Sequence, residues 1–164
     1  MAAPTTGLGS LKLYVKLGKL EGESSREGWK SKGFSDILSF QVSANASWNF
    51  DSGKSASGGV SFGGLTLTRA VVGGTPQLFI GCLKEKKLEL VELCAGDDTG
   101  KEASFIIRLK GDVRITGCSI SGDSGGSMTE CISLQSGIIE VEHKAKSKKD
   151  DIDFAKLEQK NTVL

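Results

Sequence analysis

From residue 38 to residue 51 the chain alternates without a break. Leu38, Phe40, Val42, Ala44, Ala46, Trp48 and Phe50 hold one phase; Ser39, Gln41, Ser43, Asn45, Ser47, Asn49 and Asp51 hold the other. Successive side chains of a β-strand point to opposite faces, so the even residues face a core and the odd ones face water. Such a strand reaches roughly 43 Å at about 3.3 Å per residue. That is long for a small domain, and it predicts a strand that projects beyond the body or bends.

The same periodicity recurs along the chain. Leu11, Leu13, Val15 and Leu17 share a face, as do Phe105, Ile107, Leu109, Val113 and Ile115. Val60 and Phe62 fall out of step with Leu65 and Leu67 across Gly63-Gly64, which predicts a bulge, and 88–94 shift phase at Val91. Met128–Leu134 and Gly137–His143 read as two strands joined by a short turn. One helix is expected, with Thr75 as cap, Pro76 in the first position and QLFIGCLKEKK behind it. Glycine accounts for 22 residues and proline for 2, a balance that favours short strands and turns. The expected fold is mainly β: a small β-barrel of two packed, mostly antiparallel sheets, roughly seven to nine strands, with one flanking α-helix.

Several function classes drop out. The 21 basic and 20 acidic residues leave a net charge of +1, without the basic surplus that phosphate binding requires, so no nucleic-acid partner is expected. No apolar run is long enough to span a membrane, and no basic segment followed by an apolar block marks a signal peptide. Cys82, Cys94, Cys118 and Cys131 lack redox or zinc spacing and read as small buried hydrophobes. His143 is the only histidine, so no metal site is expected. No cofactor is expected either.

Gly122-Asp123-Ser124-Gly125-Gly126 spells the string around a serine protease nucleophile. That chemistry needs a histidine base and an orienting aspartate, and His143 follows Ser124 at the end of a strand, so the segment reads as a surface loop. Gly53-Lys54-Ser55 ends like a phosphate-binding loop but has Trp48 where the first glycine belongs. Asn45-Ala46-Ser47 is a glycosylation string without a secretory signal. Glu140 and Glu142 read as a solvated strand face, and His143 as an exposed strand end.

A series of landmarks resembles a known family. Gly22-Glu23-Ser24 follows the first strand, then come Gly28-Trp29, Ile37-Leu38-Ser39-Phe40 and a Gly/Ser-rich stretch. Leu65-Thr66-Leu67-Thr68-Arg69 precedes Thr75-Pro76-Gln77-Leu78, and Asp112-Val113 and Thr129-Glu130-Cys131-Ile132-Ser133-Leu134 follow. The order is similar to that of the haemolysin-coregulated protein (Hcp) family, the tail-tube subunit of type VI secretion. The resemblance covers about residues 11–143; the usual aromatic ending of the last core strand is here Val141-Glu142-His143.

The resemblance implies a barrel domain over 1–143, a charged tail over 144–164, and no enzymatic activity. Six copies would close into a ring, and rings would stack into a tube that is propelled outward with effectors in its lumen. The expected partners are further copies of the chain, a spike protein, the sheath and effectors, with no membrane insertion. Assembly in the bacterial cytoplasm would precede release through the apparatus. The uncharged column Ser39, Gln41, Ser43 and Asn45 is the candidate lumen lining. Phe50, Asp51, Ser52, Gly53, Lys54 and Ser55 lie where the family has its extended ring-stacking loop. Three other readings compete: a monomeric β-barrel binding module for a small ligand or carbohydrate, a phage-type tail-tube protein, and a hydrolase at Ser124.

Overall fold

The computed structural model describes residues 11–51, 54–144 and 148–153. Nine strands and two helices follow one another as β1 (Lys12–Leu17), α1 (Glu27–Lys30), β2 (Ser35–Asp36), β3 (Ser39–Asp51), β4 (Lys54–Ala70), α2 (Thr75–Leu83), β5 (Lys87–Gly96), β6 (Ala103–Gly122), β7 (Met128–Gln135), β8 (Ile138–His143) and β9 (Lys148–Asp153). The fold is mainly β, as expected. All nine strands belong to one antiparallel sheet in the order β2-β1-β5-β6-β7-β4-β3, with β8 beside β6 and β9 beside β8. The expectation of two sheets closed into a barrel is corrected: the sheet does not close.

A bend in β6 lets one sheet enclose a core. Gly111 and Asp112 have φ of 64° and 62°, the left-handed region that glycine and aspartate tolerate best. Opposite them the β5 register slips between Leu88 and Leu90, not at Val91 as the pattern suggested. On the other edge of β6, β7 pairs beyond the bend and β8 before it. Gln135 to Gly137 is therefore a kink in one run along β6 and not a hairpin turn; Gly137 N–H donates to Gly111 O. The two halves fold over Val15, Leu17, Leu65, Leu67, Val91, Leu93, Ile107, Leu109, Ile132 and Leu134. Burying one such side chain is worth about 1.5–3 kcal/mol. A smaller cluster surrounds Trp29, which stacks on Tyr14 at 4.2 Å and donates through Nε1 to Asp97 O at 2.6 Å.

β3 and β4 pair along their whole length, but only Leu65–Ala70 of β4 also pairs with β7, so the rest of the hairpin is a two-stranded arm. The register slips at Ser43/Ala44, opposite the predicted Gly63-Gly64 bulge. A second slip at Ser47/Trp48, opposite Gly58-Gly59, was hidden in a Gly/Ser-rich stretch. Both bulges need glycine: Gly64 and Gly59 have φ of 90° and 111°, and a Cβ on Gly63 would lie 2.0 Å from Ser43 Oγ. The bulges keep Phe40, Val42 and Ala44 in phase with Leu67, Leu65 and Phe62. Only Phe40 and Val42 of that even phase pack on the core, whereas Trp48 and Phe50 project.

α2 differs from its expected form at both ends. Thr75 is inside the helix and Gly74 precedes it. The N-terminal amides are held from a distance, since Gly73 and Gly74 donate to the Glu23 carboxylate at 2.9 and 3.1 Å. The helix stops at Leu83, because Lys87 enters β5 opposite Arg114 and Glu85 takes a φ of 52°. α1, a single turn around Trp29, was not anticipated.

Candidate functional site

Pairing turns the alternating column of β3 into a wider surface. Ser39, Thr68, Cys131 and Ser119 form one row across β3, β4, β7 and β6. Gln41, Thr66, Ser133 and Gly117 form the next. Ser121 and Thr129 lie beyond the first row, and Ser43, Asn45 and Ser61 continue the second along the arm. Thr66 Oγ1 and Ser133 Oγ lie 3.2 Å apart, a cross-strand hydroxyl contact. None of these residues is lysine, arginine, aspartate or glutamate. All four candidate lumen residues, Ser39, Gln41, Ser43 and Asn45, belong to this face. Its Thr66, Thr68, Ser133 and Ser119 columns escaped the sequence reading, although each alternates in its own strand.

Charge is concentrated on the other half of the sheet. Arg108 Nε donates to Glu92 at 2.9 Å, and its Nη1 donates to Glu140 at 2.5 Å and to Glu142 at 2.8 Å. Lys110 reaches the second Glu140 oxygen at 2.8 Å, and Lys149 of β9 lies 3.3 Å from it. Glu140 is buried rather than solvated, and its carboxyl falls to about 2. The hydrogen bond from Lys110 is the chief cause; Arg108 and Lys149 add to it against the cost of desolvation. The partners come from β5, β6, β8 and β9, too far apart in sequence for a local pattern to reveal.

The arm has a second, apolar face. Val42, Ala44, Ala46, Val60 and Phe62 look across an open groove of about 460 Å³ toward Ile139, Val141 and Ile152 of β8 and β9. Beyond the groove Trp48 is 46% and Phe50 81% exposed. Among the candidate stacking residues, Phe50 pairs with Ser55 and Asp51 with Lys54, so the strands run almost to the tip. Ser52 and Gly53 lie outside the described residues.

The other motifs are separated. Ser124 sits in an exposed turn closed by Gly126 N–H on Asp123 O and Gly125 N–H on the Asp123 carboxylate. His143 lies beside Phe105, most of β6 away, so no base reaches Ser124. His143 is half-buried with its ring edge-on to Phe105 at 6.1 Å, not an exposed strand end. All four cysteines are free; Cys94 is buried, its thiol pushed to about 12 chiefly by desolvation, while Cys82, Cys118 and Cys131 are only half-buried.

Residues 14–143 match the protein family described as "Type VI secretion system effector, Hcp". No curated protein sequence matches the chain. Among solved structures, Hcp1 of Escherichia coli EAEC 042 superposes with a TM-score of 0.73 at 14% identity, over 88% of this chain and 99% of that one. A type VI secretion system effector from Yersinia pestis gives 0.69 at 17% identity, over 86% and 98%. Hcp1 from Salmonella typhimurium gives 0.66 at 18% identity, over 89% and 96%. At these identities the likeness shows a shared fold.

Proposed function

The chain belongs to the Hcp family of type VI secretion proteins, and from that premise we propose that it is the structural subunit of the tail tube. Six copies close into a ring, rings stack, and the tube carries effectors outward when the sheath contracts against it. Spike protein and sheath are the partners at its ends and outer wall, and assembly takes place in the cytoplasm before release. The chain acts by assembling and not by catalysis.

The uncharged face of β3, β4, β7 and β6 carries this reading. In a chain with 25% charged residues, a four-stranded surface made mostly of serine and threonine, with no charged residue in its rows, is a selected composition. Short hydroxyl side chains lose little conformational entropy and bring no charge to trap a passing protein. These properties suit the wall of a conduit. The apolar face of the arm supports the second half of the reading, because exposed aromatics at the end of a projecting hairpin gain free energy only when a partner covers them. A neighbouring copy would do so, and a head-to-tail contact that does not close propagates from ring to ring.

Light scattering coupled to size exclusion, with electron microscopy of the same peak, tests the proposal. A mass about six times the 17.3 kDa of the chain, with annular particles, supports it. A monomer at high concentration that forms no rings with spike or sheath components overturns it.

A further inference from the structure

α2 is apolar on both sides. Leu78 and Gly81 pack inward, and Thr75 Oγ1 donates to buried Glu130 at 2.9 Å. Pro76, Phe79, Ile80 and Leu83 face solvent at spacings of three and four, so they line one stripe of the helix. Phe79, Ile80 and Leu83 are 36%, 45% and 71% exposed. Beside the stripe a groove of about 570 Å³ runs between α2 and the start of β5, with Leu20, Leu88 and Ile115 in its walls. The charge at this rim is mainly positive. Lys87 pairs with Asp112 at 3.0 Å and Lys19 with Glu89 at 3.0 Å, whereas Lys84 and Lys86 have no carboxylate partner among the described residues. Glu85 is the one carboxylate between them.

We infer that this surface docks an acidic amphipathic helix of a different protein. The stripe spans about two helical turns, the length over which a partner helix presents apolar residues at matching spacing. Unpaired lysines at the rim favour carboxylates on the partner's flanks, which steer the encounter and fix its direction. A second copy of the chain does not supply this ligand, because its other described helix, α1, is one turn long and buries its Trp29. The surface lies across the β4–β7–β6 sheet from the uncharged face: Glu130, which holds Thr75, is in register with Ile120, and its neighbours Thr129 and Cys131 point the other way. The inference therefore goes beyond the tube reading and does not depend on it.

Fluorescence anisotropy with the full chain tests it. The probes are synthetic helices of about 15 residues, long enough to be partly helical, with leucine at spacings of three and four. One has glutamate and alanine at the remaining positions, one has lysine and alanine, and one is a scrambled glutamate peptide. The glutamate helix is expected to bind about tenfold more tightly than either control, with affinity falling as salt rises. Leu83→Ser should weaken it about tenfold, and Lys84→Glu with Lys86→Glu should reverse the preference between the two charged helices. Leu83 is exposed, so an unchanged unfolding midpoint shows that the variant remains folded. Equal binding of all three peptides, or binding indifferent to Leu83→Ser, overturns the inference. So does self-association abolished by Leu83→Ser, which would make the stripe an interface between copies.

Discussion

Arg69 Nε and Glu130 Oε1 lie 2.5 Å apart with their side chains 4% and 0% exposed, so β4 and β7 share an ion pair inside the core. Thr75 Oγ1 donates to the same oxygen at 2.9 Å, tying the start of α2 to the pair. A buried charge without its partner keeps its desolvation cost and loses the attraction that offset it. Arg69→Met should therefore lower stability by about 3–5 kcal/mol. Replacing both residues, Arg69→Met with Glu130→Leu, should recover much of the loss, because no buried charge then remains. Urea denaturation of the parent and the two variants measures both effects. Equal destabilisation by the single and double changes would show that the pair contributes through packing alone.

Glu140 makes the folded state sensitive to acid. Its ordinary value is 4.5, and in the fold it titrates at about 2. A depressed carboxyl stabilises the fold above its unfolded value, and this contribution disappears as pH falls from about 4.5 toward 2. Glu140→Gln should cost about 1.5–3 kcal/mol at pH 7, the range for a hydrogen bond to a charged group. Near pH 2 the variant and the parent should converge. Denaturation at a series of pH values checks this; a deficit that persists undiminished at pH 2 would assign the cost to shape rather than charge.

Local periodicity carried the strands, because pleating converts burial directly into alternation. It placed β3, the arm and the Gly63-Gly64 bulge. It missed the second bulge because Gly58-Gly59 stands among serines, where no apolar residue marks the phase. It also extended α2 too far: Lys84 to Lys87 are good helix formers, but pairing of Lys87 with Arg114 draws the chain into β5. The two charged sites were illegible for a different reason. Glu140 collects Arg108, Lys110 and Lys149, and Glu130 collects Arg69 and Thr75, from strands and a helix that only the folded sheet brings together. One strand of the uncharged face was read from the alternation of β3, and the other three required knowing that β4, β7 and β6 lie beside it.

Gly28, one landmark of the family series, has a structural role. Gly28 and Gly100 bring two backbones together: a Cβ on Gly28 would lie 2.0 Å from Thr99 O, and one on Gly100 would lie 2.4 Å from Gly28 C. Gly100 also has a φ of 72°. Backbone cannot move aside as a flexible side chain can. Gly28→Ala should cost about 3 kcal/mol, the upper part of the range for overpacking. Gly74→Ala, whose Cβ meets nothing within 4 Å, should stay within about 0.5 kcal/mol. Thermal unfolding of the pair separates a steric effect from a general intolerance of alanine.

Gln41 stands on the uncharged face and is exposed, so Gln41→Lys should leave the unfolding midpoint of the isolated subunit unchanged within about 0.5 kcal/mol. In a ring the substitution would place a ring of like charges on the conduit wall. Recovery of cargo with assembled rings should fall, most strongly at low salt, where screening is weakest. Unchanged recovery in every salt concentration would remove this face from the lumen.

Phe50 distinguishes folding from assembly. It is 81% exposed, so Phe50→Ser removes almost no contact from the subunit and should alter its stability by less than about 0.5 kcal/mol. If a neighbouring copy covers the apolar face of the arm, the same substitution removes a buried aromatic from every repeat of the interface. A hot-spot aromatic contributes about 2 kcal/mol or more to one contact, and a tube multiplies that loss along its length. Sedimentation should show long assemblies replaced by short ones or single rings while circular dichroism is unaltered. Trp48→Ser should act in the same direction with a smaller effect, because that ring is only 46% exposed and lies nearer the body. Tubes of undiminished length in both variants would exclude the arm as the stacking element.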